Sequence, residues 1–226
     1  ESMDFRLVFD YDGVLFNNQK ASHLISERAS NFVCMKLKIP LHEAREINKV
    51  TYKAFGHTLK LLEKQGVDTT LQEYNEYVYD DTIWDYIESK IKPNDYNNLM
   101  DVFALNEIQN GKSILLTNAP YEWVERSMDI VGMHPNTLFD NVYTPKTIDE
   151  LKPNNIMYDS IASKYPHEKL LFIDNKIMNI EYLNHKWRTK LYHKHDSVFH
   201  TGCSLIEEEL LHNREISLLK NAIKQV

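Results

Sequence analysis

Past residue 111 the chain settles into a regular beat, and that beat limits its fold more than any other feature. Residues 112–116 (KSILL), 142–144, 169–173 (KLLFI) and 188–192 are short runs rich in apolar and β-branched side chains. Between them lie stretches with helical punctuation. Pro120 opens one that ends near Gly132, another follows Pro153 and ends near Tyr165, and a third covers 175–185. Strands that alternate with helices predict a parallel sheet with right-handed crossovers. Near the N-terminus, residues 5–9 (FRLVF) read as one more buried strand that stops at Asp10. In such a sheet ligands bind beyond the carboxyl ends of the strands. Asp10, Thr117, the segment before Lys152 and Asp174 all fall at that edge.

Between residues 15 and 111 no strand pattern occurs. Ala21, Leu24, Ile25, Ala29, Phe32 and Val33 recur at steps of three and four, which puts them on one helix face. A second helix is expected over 41–65, stopped by Gly66, and shorter helices over 70–109. A final amphipathic helix is expected over 205–225. The expected fold is therefore α/β. A Rossmann-like parallel core covers 4–15 plus 107–226, and an all-helical cap covers 16–106.

Composition narrows the function. The 33 acidic residues outnumber 26 basic ones, a net charge of −7, which repels a nucleic-acid backbone. No apolar run approaches the roughly 20 residues needed to span a bilayer. Asp10 and Asp12 cut the first apolar run, so no secretory leader is expected. Cys34 and Cys203 form no disulfide framework and no C-x-x-C pattern. A reducing cytoplasm is the expected location. His193, His195 and His200 fit no common zinc spacing and are read as a solvated loop.

The chemistry concentrates in Phe9-Asp10-Tyr11-Asp12-Gly13. Two carboxylates two residues apart leave a strand together, and Gly13 allows a loop that holds both towards a ligand. One carboxylate can attack phosphorus, and the other can protonate the leaving oxygen and later activate water. The transferred group needs its charge neutralised, which magnesium on carboxylate oxygens supplies. Lys152 adds a fixed cation and Thr117 a hydroxyl. Taken alone, Asp10 and Asp12 also fit a solvated turn, and Thr117-Asn118 a helix N-cap.

DYDGVLF, LLTNAP, LKPNN and FIDNKIMN, in that order, resemble the four motifs of haloacid dehalogenase superfamily hydrolases. The resemblance implies Asp10 as nucleophile and Asp12 as general acid/base, with Thr117, Asn118 and Lys152 on the phosphate. It implies a Mg2+ site from Asp10, Asp12 (through its main-chain carbonyl), Asp174 and Asn175, with Asn179 behind them. Asp12 itself resembles the phosphatase and phosphomutase members. Within the cap, TYKAFGHTLKLLEKQGV followed by LQEYNEYVYD is similar to the pyrimidine 5′-nucleotidase subgroup. That implies a small phosphate ester, a nucleoside 5′-monophosphate, as substrate; a monomer or a homodimer is expected, between which the sequence does not choose. Asn175 departs from the pattern, because family members carry a second acid there. A neutral amide predicts weak magnesium affinity. The alternatives are a phosphomutase, a general small-molecule phosphatase, or a binding protein that kept the fold and lost turnover.

Overall fold

In the computed structural model, which describes residues 4–225 apart from Tyr182 and Asn184, β1 (Phe5–Phe9) lies at the centre of a five-stranded sheet. The other strands are β2 (Ser113–Leu116), β3 (Phe139–Tyr143), β4 (Lys169–Asp174) and β5 (Trp187–Leu191). The order is β3-β2-β1-β4-β5, and every pairing is parallel. Side chains alternate across a strand, and the two faces feed two cores. Leu7, Phe9, Leu115, Leu171 and Ile173 join one apolar cluster, while Val8, Ile114, Leu116, Leu170 and Phe172 join the other.

The helices that cover these faces are α6 (Asn97–Ile108), α7 (Tyr121–Asp129), α10 (Asn155–Ser163) and α12 (Val198–Lys224). Trp123 and Val124 of α7, Leu105 of α6 and Leu205 of α12 complete the first cluster. Met157 and Ile161 of α10 complete the second. Fully burying such a side chain contributes about 1.5–3 kcal/mol. Helices α6 and α12 cross closely, since a Cβ added at Gly202 would come 2.6 Å from Leu105.

The inserted segment is helical throughout. It comprises α1 (Gln19–Leu37), α2 (Leu41–Phe55), α3 (Thr58–Lys64), α4 (Leu71–Val78), α5 (Asp81–Lys90) and a 3-10 turn over Pro93–Tyr96. Ala29, Phe32, Leu59, Leu62, Tyr74 and Val78 from α1, α3 and α4 form a separate third cluster. Asn18 caps α1 by accepting the Ala21 N–H at 2.8 Å.

Several expected elements differ. The single helix over 41–65 is two helices. Gly56 ends α2 in the left-handed region (φ 80°), and His57 Nδ1 caps α3 by accepting the Leu59 N–H at 3.1 Å. The helix over 175–185 is one turn, α11 (Ile177–Ile180), because the Asp174 carboxylate takes the Lys176 N–H at 2.8 Å and bends the chain first. Tyr182 and Asn184, also in that expected helix, lie outside the described residues. Two one-turn helices, α8 (Pro135–Leu138) and α9 (Pro145–Ile148), flank β3. Thr144 caps α9 instead of extending β3. Helix α12 starts before residue 205. Among the described residues no helix is long and apolar enough to cross a membrane.

Candidate active site

Parallel pairing carries three chain segments to one edge. The Asp10 N–H donates to Ile173 O, and the Thr117 N–H donates to Tyr143 O, both at 3.0 Å. Asp10, Thr117 and Asp174 therefore follow or end neighbouring strands. Lys152, from the loop between α9 and α10, reaches in among them. Its ammonium donates to Asp10 Oδ1 at 2.8 Å, Asp174 Oδ2 at 2.9 Å and Leu116 O at 2.9 Å. Lys152 and Asp174 are almost wholly buried, and Asp10 nearly so. A buried charge persists only when paired, and removing one partner costs about 3–5 kcal/mol. Burial works against the Lys152 charge, but Asp10 and Asp174 hold its ammonium above the ordinary lysine range.

The two candidate catalytic carboxyls stand in different surroundings. Burial, then the charge of Asp174, pushes Asp10 up to about 7 against the pull of Lys152. Burial pushes Asp12 up to about 6, opposed by Trp123, whose Nε1–H donates to Asp12 Oδ1 at 2.9 Å. The indole leaves Asp12 Oδ2 for a ligand. Gly13 turns the loop at φ 82°, and a Cβ there would come 2.1 Å from the Asn175 amide. Position 13 therefore requires glycine on both counts.

The amide head of Asn175 lies 3.1 Å from Asp10 Oδ2 and 3.3 Å from Asp174 Oδ1. With its nitrogen turned inwards it donates to both carboxylates. With its oxygen inwards, three oxygens converge, a donor set that suits only a hard cation such as magnesium. Among the described residues no three His, Cys, Asp or Glu side chains make a metal site. A magnesium ion would therefore draw on Asp10, Asp174, the amide oxygen of Asn175 and the main-chain carbonyl of Asp12. Asn179 stands behind, donating to Asp174 Oδ2 at 3.0 Å, while its own buried Oδ1 has no partner among the described residues.

The structure thus brings Asp10, Asp12, Thr117, Lys152, Asp174, Asn175 and Asn179 together. Asn118 is also present, with a different use. Its side chain clamps the main chain of Lys152, accepting the N–H at 2.7 Å and donating to the carbonyl at 3.1 Å. The Asn118 side chain thereby positions Lys152. Thr117 Oγ1 accepts the Ala119 N–H at 3.0 Å and keeps its own proton for a ligand.

A cleft of about 760 Å³ opens above this cluster and is roofed by α1 and α2. Three residues that the motifs did not single out for the site line it: His57, Lys176 and Tyr52. Burial, with Lys176 and Lys60 nearby, pushes His57 down to about 3, so the ring is neutral. Its Nδ1 accepts from Leu59, which leaves Nε2–H as a donor. The helices between β1 and β2 meet the loop that carries Lys152 beside it. A Cβ on Gly56 would lie 3.0 Å from Lys152 O, and Lys60 Nζ donates to Pro153 O at 3.2 Å. Most cap tyrosines pack internally: Tyr74 against Phe32 and His57, Tyr77 against Phe32, Tyr79 against Trp84 and Trp123. Tyr52 is the exception and remains exposed at the cleft.

No protein-family model and no curated protein matches the chain. Solved structures do resemble it. A mutant of CbbY from Rhodobacter sphaeroides, in complex with xylulose-(1,5)bisphosphate, aligns with a TM-score of 0.55 at 14% identity, over 85% of this chain and 88% of that one. CbbY in complex with phosphate gives 0.51 at 15% identity, over 86% and 90%. A hydrolase from Pseudomonas syringae gives 0.51 at 17% identity, over 78% of each chain. The chain has the fold that these proteins share, a Rossmann-like α/β fold built on a parallel five-stranded sheet with surrounding helices.

Proposed function

We propose that the chain is a phosphatase that works through an aspartyl-phosphate on Asp10. The observation that carries this reading is the pairing of two unlike carboxyls at one sheet edge. One is buried against Lys152, and the other is buried and accepts the Trp123 indole N–H at 2.9 Å. In the first step an Asp10 oxygen bonds to phosphorus, the ester P–O bond breaks, and the Asp12 carboxyl gives its proton to the departing oxygen. In the second, Asp12 takes a proton from water as that water attacks phosphorus. Asp10 leaves as carboxylate and inorganic phosphate is released. Thr117 donates to a phosphate oxygen. Lys152 holds Asp10 in place and keeps positive charge beneath the phosphoryl group. Magnesium, when bound, supplies neutralisation of phosphoryl charge. With the neutral Asn175 replacing an acid, its affinity is expected to be weak.

In this reading the helices over residues 16–96 form the cap that closes over the cleft and excludes water, while α6, packed on the sheet, belongs with the core. The cleft volume suits a small organic phosphate. Tyr52 at the cleft and the cap motif support a nucleoside 5′-monophosphate as the substrate. A phosphomutase uses the same Asp10 and Asp12. The bisphosphate in the CbbY complex keeps that second reading open.

The test is phosphate release from a panel of nucleotides and sugar phosphates, with and without magnesium, beside Asp10→Asn. Release is expected to fall at least about a thousandfold in Asp10→Asn. An isomerised sugar phosphate without free phosphate would select the mutase. Unchanged release in Asp10→Asn would end the aspartyl-phosphate reading.

A further inference from the structure

Lys152 is the obvious cation for a phosphate, but its hydrogen-bonding capacity is already filled. A lysine ammonium has three N–H donors. Here they go to Asp10 Oδ1, Asp174 Oδ2 and Leu116 O, all within 2.9 Å. The Asn118 amide is engaged with the Lys152 main chain. An incoming phosphate therefore meets fixed positive charge below it and few free donors. Thr117 offers one hydroxyl proton.

Lys176 differs in every respect. It follows Asn175 directly, lines the same cleft as Asp10, Asp12, Thr117 and Lys152, and is only half-buried. Its backbone N–H is tied to Asp174 Oδ1 at 2.8 Å, which fixes where the side chain departs. Its ammonium rests 3.8 Å from the centre of the Tyr52 ring on α2 and has no hydrogen-bond acceptor among the described residues. A cation on a partly exposed aromatic face is held weakly, and a charge-assisted hydrogen bond to an anion can displace it. Its charge is felt at Asp10, Asp12 and His57. The neutral amide at 175 matters here too. An aspartate in its place would add a further negative charge to the cleft, against an incoming anion.

We propose that Lys176 is a second anion-binding residue of this site, leaving the Tyr52 ring to donate to the substrate's phosphate. Phosphate then binds without a divalent cation. The proposal rests on the phosphatase reading and deepens it, because it names a residue that holds the group being transferred.

The experiment is calorimetric titration of the full chain with inorganic phosphate in EDTA. Wild type is expected to bind. Lys176→Met is expected to weaken binding at least about tenfold, the loss of one charge-assisted contact, and Lys176→Arg to restore most of it. Thermal unfolding of Lys176→Met alongside establishes that the variant is folded. Equal phosphate affinity in wild type and folded Lys176→Met overturns the proposal. So does a wild type that binds no phosphate in EDTA. The two readings separate cleanly. Magnesium-dependent hydrolysis with no Lys176 effect on binding removes only Lys176. Binding that depends on Lys176 in a chain that hydrolyses nothing removes only the phosphatase.

Discussion

Asp10 and Asp12 sit two residues apart, yet burial and their partners set them about one pH unit apart, near 7 and near 6. The first step needs Asp10 ionised and Asp12 protonated. Ionised Asp10 accumulates as pH rises through about 7, and protonated Asp12 is lost as pH rises through about 6. The productive form is therefore a minority species that peaks between these values, and kcat/KM is expected to be bell-shaped with its maximum there. Coupling makes the limbs a property of the pair. Trp123 holds Asp12 down, so Trp123→Phe raises Asp12 and moves the optimum to higher pH. Initial rates from pH 5 to 9 check this. An optimum that stays in place in Trp123→Phe would remove Asp12 from the acid role.

The elements differ in how plainly the sequence announced them. Sheet strands end where their apolar runs end, so Asp10, Thr117 and Asp174 were legible as one edge. The join between α2 and α3 was not. Apolar spacing continues across it, and a helix-period count merges the two. The signal lay in Gly56 followed by His57, a left-handed stop and a side-chain cap. That joint is the part of the cap seated on the Lys152 carbonyl. Gly56→Ala would combine left-handed strain with a Cβ 3.0 Å from Lys152 O, whereas Gly66, at φ 68°, has nothing within 4 Å. Gly56→Ala is expected to cost about 2–3 kcal/mol and Gly66→Ala about 1, measured by urea unfolding. Equal costs would mean that the joint does not bear on the core. Trp123 was equally hidden. Its helix position predicts core packing, and nothing local says that its N–H meets a carboxyl 111 residues away. The same holds for Asn118, whose two contacts depend on a loop 34 residues downstream. Lys176 carries no signal of its own in the sequence, and only the roof of α2 gives it a setting.

At the scale of the whole molecule, α12 exceeds what the core needs. It buries side chains from Val198 to Glu209, and all of 210–225 is exposed, including Leu211, Leu218, Leu219 and Ile223. Those last turns project about 20 Å at 1.5 Å per residue. A chain ending at Glu209 keeps the contact of Arg188 with Glu209 at 3.0 Å. It is expected to lose less than about 1 kcal/mol of stability and to retain phosphate release. A loss above about 2 kcal/mol in urea unfolding would show that the projecting turns are packed in solution.

The central position of β1 has a consequence for how the molecule is made. Of the five strands, the one made first belongs in the middle of the sheet, and both of its neighbours come much later. One is β2 at Ser113–Leu116, and the other is β4 at Lys169–Asp174. Asp10 meets Lys152 only after 142 further residues have been added. At ordinary elongation rates that is a wait on the order of ten seconds. During this interval the inserted helices, whose contacts are close in sequence, have time to assemble by themselves, since helices form in microseconds. Asp10 is synthesised long before its surroundings, so a chain released before residue 152 carries Asp10 without Lys152 beside it.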